Sequence, residues 1–146
     1  MKMKRLVTIL LLMTLSLVIT AQQSEEEAIR KVIQTAYVEG IHNRAGVDKI
    51  EKGFHPGFEM LGLSNGLLTK FPIYSWIETV KKSMAEGQAQ ADSIRADYPL
   101  IDVAGNAAIA RVELYRGEKH LFTDYMSLYK TENGWQIVAK IYYRLP

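Results

Sequence analysis

Asp124 is the residue whose setting points most directly to chemistry. Met126 and Leu128 follow it at every second position, so a strand through this stretch puts a carboxyl group on an apolar face. An acid in such surroundings is easier to keep neutral, and when neutral it can donate a hydrogen bond to a ligand. The plainer role is a structural acid bonded to a tyrosine hydroxyl or a loop N–H. Tyr37 is the second candidate. It shares a helical face with Ile29, Ile33 and Ala36, and its buried hydroxyl needs a partner, either a ligand or Asp124 itself. Around this pair, Ile33, Phe54, Met60, Trp76, Val80, Met126, Ile141 and Tyr143 have spacings that turn them toward one interior. Together they describe a partly apolar pocket for a small apolar or aromatic molecule, or else ordinary core packing.

Other reaction types find little support. His42, His55 and His120 lie far apart and near the ends of elements, without the compact spacing of a metal site. No Ser-His-Asp set, phosphate loop or paired-carboxylate motif stands out. The expectation is a domain without metal or cofactor.

The elements that must hold these residues follow from periodicity. Thr123 to Pro146 predicts two strands joined at Asn133-Gly134, a pair that tolerates positive φ. Simple alternation places Trp135, Ile137, Ala139, Ile141 and Tyr143 beside Asp124 on the inner face. Tyr125, Ser127, Tyr129, Gln136, Val138, Lys140 and Tyr142 then fall on the outer one. An outer face carrying Tyr125, Tyr129, Val138 and Tyr142 is aromatic enough to suggest a homodimer built sheet against sheet, unless a terminus or loop covers it.

Upstream, Ser24 to Asn43 predicts a helix, with Ser24 and Glu27 as a capping box. Gly46 to Phe54 predicts a short second helix, stopped by His55-Pro56-Gly57. Phe58 to Leu63 and Leu67 to Phe71 predict a hairpin around Ser64-Asn65-Gly66. Pro72 to Glu86 predicts a third helix with a capping box from Ser75 to Glu78. From Ala91 the pattern is β: Ile94 to Val103, limited by Pro99 to an edge or a bulge, then Ala108 to Tyr115, then the terminal hairpin. This order predicts an α+β fold, a curved antiparallel sheet wrapped as a cone around three N-terminal helices.

Residues 1–21 read as a secretory signal peptide. Lys2, Lys4 and Arg5 precede an apolar run from Leu6 to Ile19, too short for a membrane span, and Ala21 closes it. The expected domain is therefore 22–146, exported to the periplasm or beyond, with no stable membrane insertion after processing. Loss of those three basic residues turns the net charge of +2 into −1, and no basic stripe remains to attract nucleic acid. There is no cysteine, so the exported domain holds together by packing alone.

The pattern AIRKVIQTAYVEGIH, FHPGFEMLGLSNG, SWIETVKK, AAIARVEL and TDYMSLYKTENGWQIVAKIYY resembles the nuclear transport factor 2-like superfamily, and within it the putative lumazine-binding subgroup. The resemblance runs from Ser24 to Tyr143 and implies the cone fold. That superfamily includes ketosteroid isomerases, in which a helix tyrosine and a sheet aspartic acid donate to a developing oxyanion while a strand aspartate moves the proton. The resemblance implies Tyr37 and Asp124 for the two donors. The strand aspartate would fall near Gly62, which cannot act as a base. The expectation is therefore an exported small-molecule-binding domain. The alternatives are an isomerase- or dehydratase-type enzyme using Tyr37 and Asp124, or a dimeric interaction module without a ligand.

Overall fold

The computed structural model describes residues 22–87 and 93–146. The expected leader, 1–21, lies outside the described residues, as does the start of the β region at Ala91. The first helix, α1, is α-helical over 22–32 and continues with π winding over Ile33–His42. A short α2, Val47–Gly53, leads into β1, Phe54–Ser64, and β2, Leu67–Pro72. Helix α3, Ile73–Ala85, is followed by four strands: β3, Ile94–Ala104; β4, Ala107–Arg116; β5, Lys119–Thr131; and β6, Gly134–Arg144.

The six strands form one sheet in the order β2-β1-β6-β5-β4-β3. Neighbours are antiparallel except β1 and β6, which run parallel, so the sheet is mixed. Helices against one face and a core of Ile29, Ile33, Ile50, Phe58, Val112, Leu128 and Ile137 between the layers give the expected α+β cone. Asn43, at the end of α1, stitches helix to sheet. Its side chain donates to the Ile94 carbonyl at 2.9 Å and accepts from the Ile94 N–H at 2.8 Å. Near the other end of α1, Glu25 accepts from Trp135 Nε1 at 2.6 Å and from Lys130 Nζ at 2.7 Å, which ties the helix to the terminal hairpin.

Several local expectations are corrected. Residues 22 and 23 are already helical, so Ser24 does not cap α1. Helix α3 begins at Ile73 behind an extended Pro72 with no side-chain cap, which leaves Ser75 inside the first turn. His55-Pro56-Gly57 do not end α2. They sit within β1, where the register to β6 shifts between Phe54 and Glu59. The tip of the last hairpin is Glu132-Asn133, and only Gly134, the first residue of β6, takes positive φ there. Asn65-Gly66 does form the tight turn its sequence predicts, both residues at positive φ. Pro99 lies in an edge strand and at a register shift, so both of its predicted permissions apply.

The correction that matters most is in β6. Leu128 pairs with Ile137, but Ser127 pairs with Ala139, so Val138 is an extra residue on β6. A bulge of one residue reverses which face every later side chain occupies. Ile141 and Tyr143, expected inside, are therefore 53% and 63% exposed. Lys140 and Tyr142, expected outside, lie opposite Met126 and Asp124 and turn inward with them.

Candidate functional site

The bulge sets Lys140 beside the lone acid. Asp124 is fully buried, Tyr37 nearly so, and Lys140 is 4% exposed. Tyr37 Oη donates to Asp124 Oδ2 at 2.6 Å. Lys140 Nζ donates to Asp124 Oδ1 at 2.7 Å and to Tyr37 Oη at 3.0 Å. The three groups close a triangle: an ion pair braced by a phenol. Burial, then the adjacent Asp124 charge, pushes the Tyr37 hydroxyl well above the usual tyrosine range, so it keeps its proton. Burial pulls the Lys140 amine below the ordinary lysine value, although Asp124 opposes this.

A concave cavity of about 240 Å³ opens above this triangle. Tyr37, His42, Lys140 and Arg144 line it together with the apolar and aromatic side chains of Met60, Trp76, Phe122 and Tyr142. Lys140 Nζ lies 4.6 Å from the centre of the Tyr142 ring and 5.7 Å from that of Trp76, within range of their π faces.

His42 reaches the site through the π winding of α1. An i→i+5 helix brings residues five apart onto one face, and the Tyr37 and His42 rings meet edge to face with centroids 4.6 Å apart. Burial, then the charges of Lys140 and Arg116, lowers the His42 pKa to about 3, so the ring is neutral. Its Nε2 is buried and has no partner among the described residues. A buried polar atom left unpaired beside a cavity is what a ligand would satisfy.

Of the residues predicted to line a pocket, Tyr37, Met60 and Trp76 do so. Asp124 lies beneath them, bonded to Tyr37 and Lys140. Phe54 packs behind Trp76, their ring centroids 6.3 Å apart. Ile33 and Met126 are core, and Val80 lines an adjoining cavity of about 250 Å³ that shares His42 and Trp76. Ile141 and Tyr143 face outward. The alternation missed Lys140 and Tyr142, and α-helical spacing missed His42. On the outer face Tyr125 and Tyr129 are exposed as expected, and Ile141 and Ile109 join them; Tyr142, though 40% exposed, stands on the opposite face beside the cavity. Gly62 has the Tyr142 ring above it. A Cβ there would stand 3.4 Å from the Tyr142 hydroxyl and 3.0 Å from Thr69 Oγ1.

A larger depression, about 670 Å³, lies elsewhere, between α1, α2 and the β5–β6 turn. No buried side-chain atom among the described residues lining it lacks a partner, so the smaller cavity is the better candidate. Among the described residues no three metal-ligating side chains converge, and no helix is long and apolar enough to cross a membrane.

Residues 24–143 match the profile of a family described as "Putative lumazine-binding". An NTF2-like protein of unknown function from Shewanella baltica superposes with a TM-score of 0.67 at 27% identity, covering 84% of this chain and 95% of that one. Another, from Silicibacter pomeroyi, gives 0.65 at 22% identity, covering 82% and 94%. An aldolase, FrzH, of a Cladobotryum species is 26% identical over 118 residues, 79% of this chain and 90% of that protein.

Proposed function

The chain belongs to the putative lumazine-binding family of nuclear transport factor 2-like domains, and on that footing we propose that it is an exported domain that binds a small, flat molecule carrying a carbonyl or enolate-type oxygen in the cavity above Lys140. The observation that carries this reading is the direction of the hydrogen bonds. The Tyr37 proton is committed to Asp124, and both carboxylate oxygens are occupied. The polar side chains left nearest a ligand are Lys140, a cationic donor, and His42. A cation between aromatic walls suits an electron-rich oxygen on a planar body. The cavity is smaller than the usual range for drug-sized ligands, which favours a compact molecule.

Binding is tested by native mass spectrometry of protein purified from its host, followed by titration of the molecule recovered. Trp76→Ala and Tyr142→Ala each remove a wall, and a loss of affinity of about tenfold or more is expected for a well-packed aromatic contact. Unchanged affinity in both variants would move the site elsewhere.

A catalytic reading is supported by the relative named an aldolase, since an aldol reaction places negative charge on a carbonyl oxygen, where Lys140 could neutralise it. The isomerase-type alternative fares worse. Tyr37 and Asp124 are occupied with each other, and Gly62 supplies no side chain to act as a base.

The leader over 1–21 supports export, which N-terminal sequencing of the mature protein would check. A homodimer through the outer face would now centre on Tyr125, Tyr129 and Ile141. Sedimentation of Tyr125→Glu beside the unaltered chain tests it, and an unchanged mass in the two would remove it.

A further inference from the structure

We propose that Lys140 captures its ligand covalently, its ε-amine condensing with an aldehyde or ketone to form an iminium at the floor of the cone. The inference rests on the reading of the cavity as a carbonyl site and names the step that would occur there.

Among the described residues Lys140 is the one buried cationic side chain. Exposed lysines stay protonated at neutral pH and have no lone pair to offer. A desolvated lysine gives up its proton more readily, which is how amines become nucleophiles in proteins. The proton has a destination, because Asp124 Oδ1 is in hydrogen-bond contact with the amine. Lys140 is also among the residues that line the cavity, which puts its side chain within reach of a carbonyl compound held there. A lysine kept only to neutralise Asp124 would have no need of that opening.

The step balances. One ammonium proton passes to Asp124, and the freed lone pair attacks the carbonyl carbon. A C–N bond forms as the C–O π bond breaks. The oxygen takes one proton from nitrogen and then the proton held on Asp124, and it departs as water while the second nitrogen lone pair closes the C=N bond. Ammonium and carbonyl have become iminium and water. The positive charge is retained, so the pairing with Asp124 and the contacts with the Tyr37 and Tyr142 rings, 5.1 and 4.6 Å from Nζ, serve product as well as reactant. The aromatic walls shield the C=N bond from the water that would hydrolyse it.

The test treats the purified protein with benzaldehyde, and separately with acetone, in the presence of sodium cyanoborohydride near neutral pH, then maps modified lysines by peptide mass spectrometry. Saturation-transfer NMR without the reductant reads binding alone. The expected result is one reductive alkylation, at Lys140, formed ahead of any at the exposed lysines. The adduct should be absent from Lys140→Arg and slower to form in Asp124→Asn. Binding without an adduct at Lys140 would overturn the covalent step and leave the pocket reading standing. Adducts spread evenly over surface lysines would overturn the covalent step too. Neither binding nor adduct would overturn both. The mapping is done on the unaltered chain, so it stands even if a variant fails to fold.

Discussion

His42 should make the domain acid-sensitive in a way a single substitution removes. In the unfolded chain the imidazole takes up a proton as pH falls through 6.5, while in the folded chain it resists until about 3. Between those values the unfolded state binds more protons, so stability falls as pH falls, and the loss is complete below about 3. At 1.36 kcal/mol per unit, moving from pH 7 to pH 4 costs about 3 kcal/mol through this one group. His42 keeps an edge open to water at the cavity, which brings the figure toward ~2 kcal/mol. The cationic groups acting on it come from two other elements, Lys140 on β6 and Arg116 at the end of β4. His42→Phe keeps a flat ring against Tyr37 and Trp76 and cannot titrate. Urea unfolding of both proteins at pH 7 and pH 4 gives the comparison. The variant should match the parent within about 1 kcal/mol at pH 7 and lose roughly 2–3 kcal/mol less at pH 4. An equal loss in both proteins would mean that the imidazole is charged in the folded state and that the unpaired Nε2 has been misread.

The Asp124–Lys140 pair should behave as a unit. Asp124→Leu or Lys140→Met alone leaves one buried charge uncompensated and should cost about 3–5 kcal/mol. The double variant should cost far less than the sum, about 1–3 kcal/mol, because what remains is the unpaired Tyr37 hydroxyl. Additive costs in denaturant unfolding would show the groups to be independent. The Lys140 charge is also a folding cost that fades with rising pH, since the folded chain releases that proton earlier than the unfolded one, which holds it to about 10.4. The unaltered protein should therefore gain on Lys140→Met as pH climbs toward that value, and a flat difference in unfolding free energy would refute the lowered pKa. Gly53, where α2 meets α1, has Ala36 against the position a Cβ would take. Gly53→Ala should destabilise by about 1–3 kcal/mol despite the better helix propensity of alanine, and a raised melting temperature would contradict that close approach.

What the sequence disclosed depended on whether a period stayed unbroken. Asp124 could be placed inward because alternation holds along β5, where Asp124, Met126 and Leu128 are buried and Tyr125 and Tyr129 exposed. The turn at Asn65-Gly66 and the double licence of Pro99 were legible because each rests on one residue's backbone preference. His42 was not legible. Its α-helical spacing from Tyr37 puts it off that face, and nothing in ILE-VAL-type composition or capping marks the switch to i→i+5 winding after Val32. The shift of register within β1 was equally silent, because His55-Pro56-Gly57 reads as a helix stop whether or not a strand passes through it.

The β6 bulge is a different kind of omission, because it makes two separate oddities of the sequence into one feature. A lone acid on the apolar face of β5 and a lone lysine on the supposed outer face of β6 look unrelated while strict alternation is assumed. A carboxylate in that position without a cation would be expensive to bury. Val138 inserts one residue, and the reversal of faces carries Lys140 to within 2.7 Å of Asp124. The same reversal turns Tyr142 inward over Gly62, where a proton-moving side chain would have had to stand, and sends Ile141 and Tyr143 to the convex face. The bulge therefore decides three things together: the charge of the cavity floor, the ring that stands beside Gly62 on β1, and the exposure of Ile141 and Tyr143 on the outer surface. A relative without an extra residue at this point of β6 would have an acid with no lysine beneath its cavity, and its chemistry could not be inferred from this one.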